Sequence, residues 1–358
     1  MAGNGRTHIF AGAAHGVSGG ARLRGGLFRC VAGEGDWKAL GAGLPENVEV
    51  RAIAVHPKNT DVIYVGTQDG PYRSTDGGDH WERLGFPDRG AVIWSLTIHP
   101  TRPNVMYAGT APVALYRSED GGDNWSRLGQ AKSPAHCERD GFDTRTIRIT
   151  VDPGRPDDVY AALEVSGVIR SSDGGESWAD MSSSLIKLAE QPHLKSSVGG
   201  RSCGDCEGML DSHALAISAA APGTAFLAIR MGLFRSDDRG ETWYDTKIGR
   251  YSPLTYCRDV IVSPHDPRVM YACLSQAAFS TDGSLYRSED VGQSWKRIDR
   301  GVKADSTVMA VCAHPRDPAQ ICCVTRGGQV FGTADSGASW KEHRLPQGVE
   351  DVYAVACV

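Results

Sequence analysis

The sequence lacks long apolar runs, an excess of basic side chains and a recognisable secretory leader. No apolar stretch approaches the roughly 18 residues that a membrane-spanning helix needs. The first residues, MAGNGRTHIFAGAA, do not contain a basic segment followed by an apolar core. The 38 basic and 43 acidic side chains give a net charge of −5, which is not a signature of nucleic-acid binding. We therefore expect a cytoplasmic protein with no membrane span and no nucleic-acid partner.

Cysteine is not scarce, but its placement does not indicate a disulfide scaffold. The chain has ten cysteines, and half of them fall inside apolar, strand-like runs, where a thiol acts as a small hydrophobe. Thiols of cytosolic proteins stay reduced. We interpret the following residues as reduced and structural: Cys273, Cys312, Cys322, Cys323 and Cys357.

A short phrase that ends in tryptophan recurs along the chain. Six copies fit S/T-x-D-x-G-x-x-W and end at Trp81, Trp125, Trp178, Trp243, Trp295 and Trp340. An altered seventh copy ends at Trp37, where Cys30, Ala32 and Glu34 stand in for the Ser, Asp and Gly. Recurrence at such a period indicates stacked structural units.

Each phrase lies between an alternating run such as GPYRS and a short run such as WERL, which predicts a hairpin with the phrase as its turn. The Asp carboxylate can accept backbone N–H groups within that turn, so we interpret it as a clamp and not as a catalyst. The phrase resembles the Asp-box, or BNR repeat, of sialidase-like, xyloglucanase-like, sortilin-like and photosystem-assembly-factor propellers. This resemblance implies a β-propeller.

The spacing of the phrases predicts the number of blades. Successive tryptophans are 44, 44, 53, 65, 52 and 45 residues apart, and about 44 residues form a four-stranded blade. The opening THIFAGA matches a second strand and the closing VYAVACV matches a first strand. We therefore expect an all-β fold of seven four-stranded antiparallel blades in one domain, residues 1–358, closed by pairing 349–358 with 7–40.

Chain direction places the Asp-boxes and the His-Pro turns on one face, here called the bottom face. The turn histidines His56, His99, His265 and His314 are then turn or cap residues. The insertions fall on the opposite, top face, where propellers carry binding loops. They are residues 14–25, about 129–146, about 182–212, about 248–257 and 275–284.

Alignment of the first strands predicts one residue per blade at the top mouth of the channel. The predicted ring is Arg51, Trp94, Ile147, His213, Arg258, Met309 and Tyr353. Guanidinium groups bind carboxylates or phosphates, and aromatic faces stack on sugars, so the ring suits a small anionic or polar molecule or a glycan. Additional ligand contacts are expected from Arg145, Arg148, Arg201 and His15. Alternatively, these arginines pair with Asp140, Asp143, Asp211 and Asp259 in a structural network.

The longest insertion contains Cys203 and Cys206, two thiols with metal-ligand spacing. With His193 and His213 they make a candidate site for zinc or another divalent transition metal. Two alternatives remain open: the two cysteines form a thiol or disulfide pair that cross-links the loop, or they have no special role. Three further residues in neighbouring top loops are available to complete either arrangement: His136, Cys137 and Cys257.

For acid–base chemistry the best candidate is His213, because strand alignment places it at the channel mouth and imidazole titrates near neutral pH. Tyr256 and Tyr353 are the accompanying candidates. Sialidase activity is disfavoured, since the FR pairs at Phe28 and Phe234 lack the x-Pro that follows in that family. Endoglycanase activity is also disfavoured, because xyloglucanase-like enzymes use two propellers that face each other and this chain is long enough for only one. Two function classes follow: a hydrolase or lyase acting at the top pocket, or a non-catalytic scaffold that binds a protein or a glycan.

Overall fold

The structure, a computed structural model, describes residues 6–18, 20–134, 143–194, 197–198, 201–202 and 210–358, with backbone only at 18, 21, 197, 198, 201 and 202. Within these ranges the chain forms seven four-stranded antiparallel sheets, which are the blades of a β-propeller, and two small hairpins. This confirms the predicted fold class and blade count. No helix of the described ranges is long and apolar enough to span a membrane.

The strands are numbered in chain order. Blade 1 contains β1 (His8–Ala13), β4 (Gly26–Val31) and β5 (Lys38–Leu40), and the separate hairpin of β2 (Gly16–Ser18) and β3 (Ala21–Leu23) lies between β1 and β4 in the chain. Blade 2 contains β6 (Val50–Val55), β7 (Ile63–Thr67), β8 (Gly70–Ser74) and β9 (Glu82–Arg83). Blade 3 contains β10 (Val92–Ile98), β11 (Met106–Ala111), β12 (Leu115–Ser118) and β13 (Ser126–Arg127). Blade 4 contains β14 (Thr146–Asp152), β15 (Arg155–Leu163), β16 (Gly167–Ser171) and β17 (Ala179–Asp180).

The insertion after blade 4 carries α1 (Ser183–Ala189), a 3-10 turn at Pro192–Leu194, and the strands β18 (Ser197–Val198) and β19 (Arg201–Ser202). Blade 5 contains β20 (Ser212–Ile217), β21 (Ala225–Ile229), β22 (Gly232–Ser236) and β23 (Tyr244–Asp245), followed by a 3-10 turn at Ile248–Arg250. Blade 6 contains β24 (Tyr256–Val262), β25 (Met270–Ser275), β26 (Ser284–Ser288) and β27 (Lys296–Arg297). Blade 7 contains β28 (Val308–Ala313), β29 (Ile321–Thr325), β30 (Val330–Thr333) and β31 (Lys341–Glu342), and β32 (Val352–Cys357) follows it.

The hydrophobic core lies between neighbouring blades. Second strands such as β7, with the sequence IYVGT, are buried at every residue because a blade covers each of their two faces. One cluster joins Ala52 and Tyr64 of blade 2 to Ile93 and Met106 of blade 3, and equivalent clusters follow around the ring. The near-continuous apolar runs in the sequence are explained by this two-sided burial.

The ring closes through the C-terminal strand. β32 pairs with β1 in antiparallel register from Ile9↔Cys357 to Ala13↔Val352, so blade 1 has the order β32-β1-β4-β5. The predicted closure is confirmed. β32 thus gives blade 1 the innermost strand that the other blades have, and β1 is paired along both of its edges.

The Asp-boxes are hydrogen-bonded turns, as predicted. In blade 3, the Ser118 hydroxyl donates to Asp120 Oδ1 at 2.8 Å and accepts the Gly122 amide at 2.9 Å. Asp120 Oδ1 also accepts the Asn124 amide, and the Trp125 indole donates to the Gly122 carbonyl. The hydrogen bonds from Asn124 lower the pKa of Asp120 to about 2. The carboxylate therefore serves the scaffold.

The His-Pro turns behave as caps in three blades. The Nδ1 atoms of His56, His99 and His314 each accept two backbone amides of their own turn, at 3.0–3.3 Å. His265 differs, because its Nε2 lies 2.8 Å from the carbonyl of His314 in the next blade. Ser263 accepts the His265 amide in that turn, so the histidine is displaced by two residues from the capping position.

Candidate functional site at the channel mouth

Every innermost strand skips one residue near its start in its pairing with the second strand. In blade 2, Val50 pairs with Thr67 and Ala52 with Gly66, which leaves Arg51 between them as a bulge. The skipped residues of the seven blades are Arg51, Trp94, Ile147, His213, Arg258, Met309 and Tyr353. A bulge redirects a side chain. The structure thus gives a shared backbone origin to the seven positions that strand alignment predicted.

These seven side chains line one cavity of about 90 Å³ at the mouth of the central channel. That volume holds roughly three water molecules, or one charged group of a ligand. A second cavity, of about 310 Å³, lies further along the inner strands of blades 3 to 6, where apolar residues such as Leu96, Leu215 and Val260 line it together with Arg148. Arg148 therefore borders both cavities.

Arg51, Trp94 and Tyr353 form one side of the mouth. The Arg51 guanidinium lies 4.8 Å from the centre of the Trp94 ring, and that of Arg145 lies 4.4 Å from it. Tyr353 meets Trp94 edge-on, with ring centres 5.3 Å apart. Arg51 Nη2 pairs with Glu49 at 2.6 Å, but its buried Nε and Nη1 have no hydrogen-bond partner among the described residues. Arg51 retains hydrogen-bond donors for a ligand.

The other mouth arginines differ in how they are neutralised. Arg148 pairs with the buried carboxylate of Asp259 at 2.8 Å, and Arg326 pairs with Asp351 at 2.9 Å. Arg258 lines the cavity, but the described part of the chain gives it neither a hydrogen bond nor an ion pair. The structural network weighed from the sequence is thus present for Arg148 and incomplete at Arg258.

His213 is buried, and both of its ring nitrogens are engaged. Nδ1 lies 2.8 Å from the Cys257 carbonyl, which can only accept, so this nitrogen carries a proton. Nε2 lies 3.2 Å from both the Tyr256 hydroxyl and Asp211 Oδ2. Burial lowers the pKa of His213, against the opposing effect of Asp211. For His213 to exchange a proton with a ligand, one of these contacts must first be released.

The two candidate tyrosines are separated by the structure. Tyr256 is buried behind His213, and this burial raises the pKa of its hydroxyl well above the ordinary range. Tyr353 lines the cavity on the Trp94 side. Only Tyr353 and His213 of the predicted catalytic residues therefore border the space where a ligand would sit.

A further carboxylate, Glu164, was missed by sequence reasoning. It follows β15 on the top face, and Arg145 Nη1 donates to its Oε1 at 3.1 Å. Burial, together with the negative charge of Asp211, raises the pKa of Glu164 to about 7. Burial acts to raise the pKa of Asp211 as well, but His213 and the neighbouring arginines lower it by more, so the net shift is downward. The pKa values of two carboxyl groups near the mouth are thus shifted in opposite directions, upward for Glu164 and downward for Asp211. The only signal in the sequence was an acidic residue directly after the apolar run VYAAL that ends β15.

The remaining predicted residues do not join the mouth. His15 ties its own loop, with Nδ1 accepting the Gly25 amide at 3.0 Å and Nε2 lying 3.0 Å from the Asn47 carbonyl, beside a separate groove. His193 is exposed on the 3-10 turn of the long insertion. Arg201 belongs to β19, but its side chain lies outside the described part of the chain. Cys203, Cys206, His136 and Cys137 lie outside the described residues as well.

Among the described residues, His193 and His213 do not belong to a close group of three metal-ligating side chains. The group that does lie close together is Cys312, Cys322 and Cys357, on the innermost and second strands of the closing seam. Sequence reasoning assigned these cysteines to apolar packing one at a time, and nothing in their spacing indicated that they would meet.

Comparison with known proteins supports the fold assignment. A family model described as "Sortilin, neurotensin receptor 3" matches residues 283–355. The xyloglucanase Xgh74A of Acetivibrio thermocellus is 25% identical over 278 residues, which cover 72% of this chain and 26% of that protein. The chain thus spans about a quarter of the length of this relative.

Two solved structures have the same fold. A GH74 xyloglucanase from Xanthomonas campestris superposes with a TM-score of 0.65 at 18% identity, covering 95% of this chain and 53% of its own. The propeller YCF48, solved with D1 peptide bound, superposes with a TM-score of 0.51 at 14% identity, covering 84% of this chain and 82% of its own. With the six Asp-box turns and the closed ring of seven blades, these similarities identify the chain as a propeller of the Asp-box, or BNR-repeat, superfamily.

Proposed function

We propose that the channel mouth binds the carboxylate group of an anionic ligand. The observation that carries this proposal is the incomplete pairing of two arginines around one cavity. Arg258 has no hydrogen-bond or ion-pair partner among the described residues. Arg51, which lines the same cavity, has two buried donors without a hydrogen-bond partner. A guanidinium donates most strongly to an anionic oxygen, and buried donors without an acceptor destabilise a protein. A carboxylate in the cavity would satisfy both groups.

The size of the cavity restricts what enters it. About 90 Å³ accommodates a carboxylate but not a sugar ring or a peptide unit. The rest of the ligand would therefore lie outside the cavity, across the top-face insertions and beside the partly exposed ring of Tyr353. An acidic glycan fits this arrangement and accords with the similarity to xyloglucanases.

A second candidate function is hydrolysis assisted by the top-face carboxyl groups. The feature that favours it is the opposite direction of two pKa shifts: that of Glu164 is raised to about 7, and that of Asp211 is lowered. Pairs of carboxyl groups whose surroundings push their pKa values apart supply the acid and the base of many hydrolases. In this function Glu164 donates a proton to the leaving group, and the arginines of the mouth hold the acidic residue of the substrate.

Binding is tested by titrating the protein with glucuronate, with neutral glucose as the matched probe, by isothermal calorimetry. Glucuronate should bind and glucose should not. Arg258→Gln should weaken binding about tenfold or more, since a hydrogen bond to a charged group contributes about 1.5–3 kcal/mol. Arg268→Gln is the control, because Arg268 is exposed and pairs with Asp266 in a bottom turn of the same blade.

Equal affinity of the two variants for glucuronate, or equal binding of glucose, would contradict the anion site. Activity is tested separately with acidic oligosaccharides. Product formation that Glu164→Gln abolishes, with glucuronate binding retained, supports the hydrolase. Binding without turnover of any such substrate leaves a non-catalytic propeller.

A further inference from the structure

Three thiols meet at the seam where the ring closes. Cys312 lies on β28 and Cys322 opposite it on β29, both in blade 7, while Cys357 lies on β32 of blade 1. Their Sγ atoms all lie within 4.8 Å of one another, and those of Cys312 and Cys357 are 3.5 Å apart. Three ligands of one metal ion, each about 2.3 Å from it, lie about 3.8–4.0 Å apart. The thiols are already close to that spacing.

Comparison among the blades shows that this arrangement is particular to blade 7. In every other blade the equivalent position on the second strand is an aromatic residue that pairs across the sheet with an arginine on the third strand. These pairs are Phe10↔Arg29, Tyr64↔Arg73, Tyr107↔Arg117, Tyr160↔Arg170, Phe226↔Arg235 and Tyr271↔Arg287. Blade 7 has Cys322↔Gly332. Both large side chains of the repeat have been replaced by small ones, which leaves room around the Cys322 thiol.

A histidine accompanies the thiols. In blades 2 to 7 the residue after the fourth strand donates its amide to the third strand. This residue is His343 in blade 7, Thr246 in blade 5, and Leu84, Leu128, Met181 and Ile298 in blades 2, 3, 4 and 6. His343 is only 5% exposed, and its Nδ1 has no hydrogen-bond partner among the described residues. A side-chain carbon built on Gly332 would lie 3.6 Å from Cys322 Sγ and 3.8 Å from His343 Cδ2. The imidazole thus lies next to the Cys322 thiol at a position that four other blades fill with an aliphatic side chain.

The seam departs from the repeat on its blade 1 side too. The altered Asp-box has Cys30 in the serine position, and Cys30 belongs to the same buried cluster as Cys322 and Cys357. Its Trp37 indole donates to the His343 carbonyl at 3.2 Å. A cysteine is a poor replacement for a hydrogen-bonding serine or a packed tyrosine, but it is the preferred ligand of soft metal ions. Departures from the repeat thus lie on both sides of the seam.

We propose that Cys312, Cys322 and Cys357 form a thiolate site for a soft metal ion that joins the closing strand to blade 7. On binding, the three thiols lose their protons to solvent and their sulfur atoms coordinate the ion. Cu(I) accepts three thiolates without a further ligand. Zn(II) requires a fourth ligand, and the neighbouring His343 would have to move closer to supply it, because its ring nitrogens do not lie within 4.8 Å of all three sulfur atoms. The site lies on the lower half of the inner strands and does not depend on the proposed anion site.

The experiment uses the reduced full chain under anaerobic conditions, titrated with Cu(I) in competition with a chromophoric chelator and, separately, with Zn(II). We expect one ion per chain by elemental analysis, proton release, and a melting temperature that rises with metal concentration. Cys322→Ala should lose the bound ion and the rise in melting temperature. Cys323→Ala is the matched control, because Cys323 is the next residue on the same strand, equally buried, and packs in a different cluster.

His343→Leu, which restores an aliphatic residue at this position, distinguishes the two ions. It should abolish Zn(II) binding and leave Cu(I) binding intact. Failure of the wild-type chain to bind either ion, or equal binding by the Cys322 and Cys323 variants, overturns the proposal. If Cys322→Ala does not fold, Cys312→Ala at the partly exposed position serves in its place, and retention of the ion by that variant overturns the proposal equally.

Discussion

His213 Nε2 lies 3.2 Å from Asp211 Oδ2, with the opposite ring nitrogen fixed by the Cys257 carbonyl. An Nε2 that carries a proton donates to Asp211, whereas an Nε2 without one accepts from Tyr256. The group therefore has two arrangements that differ by one proton. Both of them hold the start of β20 against β24, which makes this buried contact a structural element of the mouth as well as a candidate for chemistry.

His213→Ala is expected to lower the free energy of unfolding by about 2–4 kcal/mol, because it leaves Asp211 and the Cys257 carbonyl buried without their partner. Urea denaturation measures the change. The control is His80→Ala, an exposed histidine in a bottom turn, for which we expect less than about 0.5 kcal/mol. A similar small loss for both variants would show that the buried contact contributes nothing to stability.

Glu164 should make stability depend on pH. Its pKa is about 7 in the folded chain against an ordinary value of 4.5, so between these values the native state holds a proton that the unfolded chain has lost. Stability should fall as the pH rises from about 4.5 to about 7 and then level off. Glu164→Gln should remove this fall and be more stable than the wild type above pH 7, by roughly 1–3 kcal/mol. Unfolding curves at about pH 4 and pH 8 measure it; parallel curves for the two proteins contradict the assignment.

The Asp-box aspartates should matter for stability and not for ligand binding. Asp120→Ala removes the acceptor of the Asn124 amide and of the Ser118 hydroxyl, and we expect a loss of about 1–2 kcal/mol with unchanged glucuronate affinity. The neighbouring Glu119→Ala, which breaks an exposed ion pair with Arg117, should cost less than about 1 kcal/mol. If Asp120→Ala changed the affinity for glucuronate and Glu119→Ala did not, the result would contradict this prediction and indicate a functional role for the bottom face.

Removal of β32 should prevent folding of the ring. A chain that ends at Asp351 lacks the partner of β1 and exposes the buried inner side of blade 1, including Ile9 and Ala11. We expect loss of a cooperative thermal transition and aggregation on purification. A chain that lacks only Val358 keeps β32 and should melt cooperatively. A cooperative transition in the shorter chain would mean that the ring closes with a three-stranded blade 1.

The fold and the ring of mouth residues could be predicted from sequence because both repeat. Six good Asp-boxes and one altered copy mark the turns between the third and fourth strands of the seven blades. One alignment of the first strands then places Arg51, His213 and Arg258 together. Features that do not repeat from blade to blade were harder to predict. His265 was assigned a capping role together with the His-Pro turns, although it is followed by Asp266 and the capping position two residues earlier is Ser263.

The electrostatics of the site and the thiol cluster could not be predicted. Glu164 is unusual only because it is buried beside Asp211, and burial is a property of the assembled top face. Cys312 and Cys357 are 45 residues apart in the chain and meet because the last strand returns to the first blade. The insertions drew attention to the top face by their length, whereas the thiols occupy ordinary strand positions with no insertion to mark them.

The pairing of β32 with β1 also fixes the order of events during synthesis. β1 leaves the ribosome before the other strands of the propeller, yet its inner partner β32 is made more than 300 residues later. Throughout that interval blade 1 has an open inner edge with which another chain can pair. The ring can be completed only when residues 352–357 have emerged.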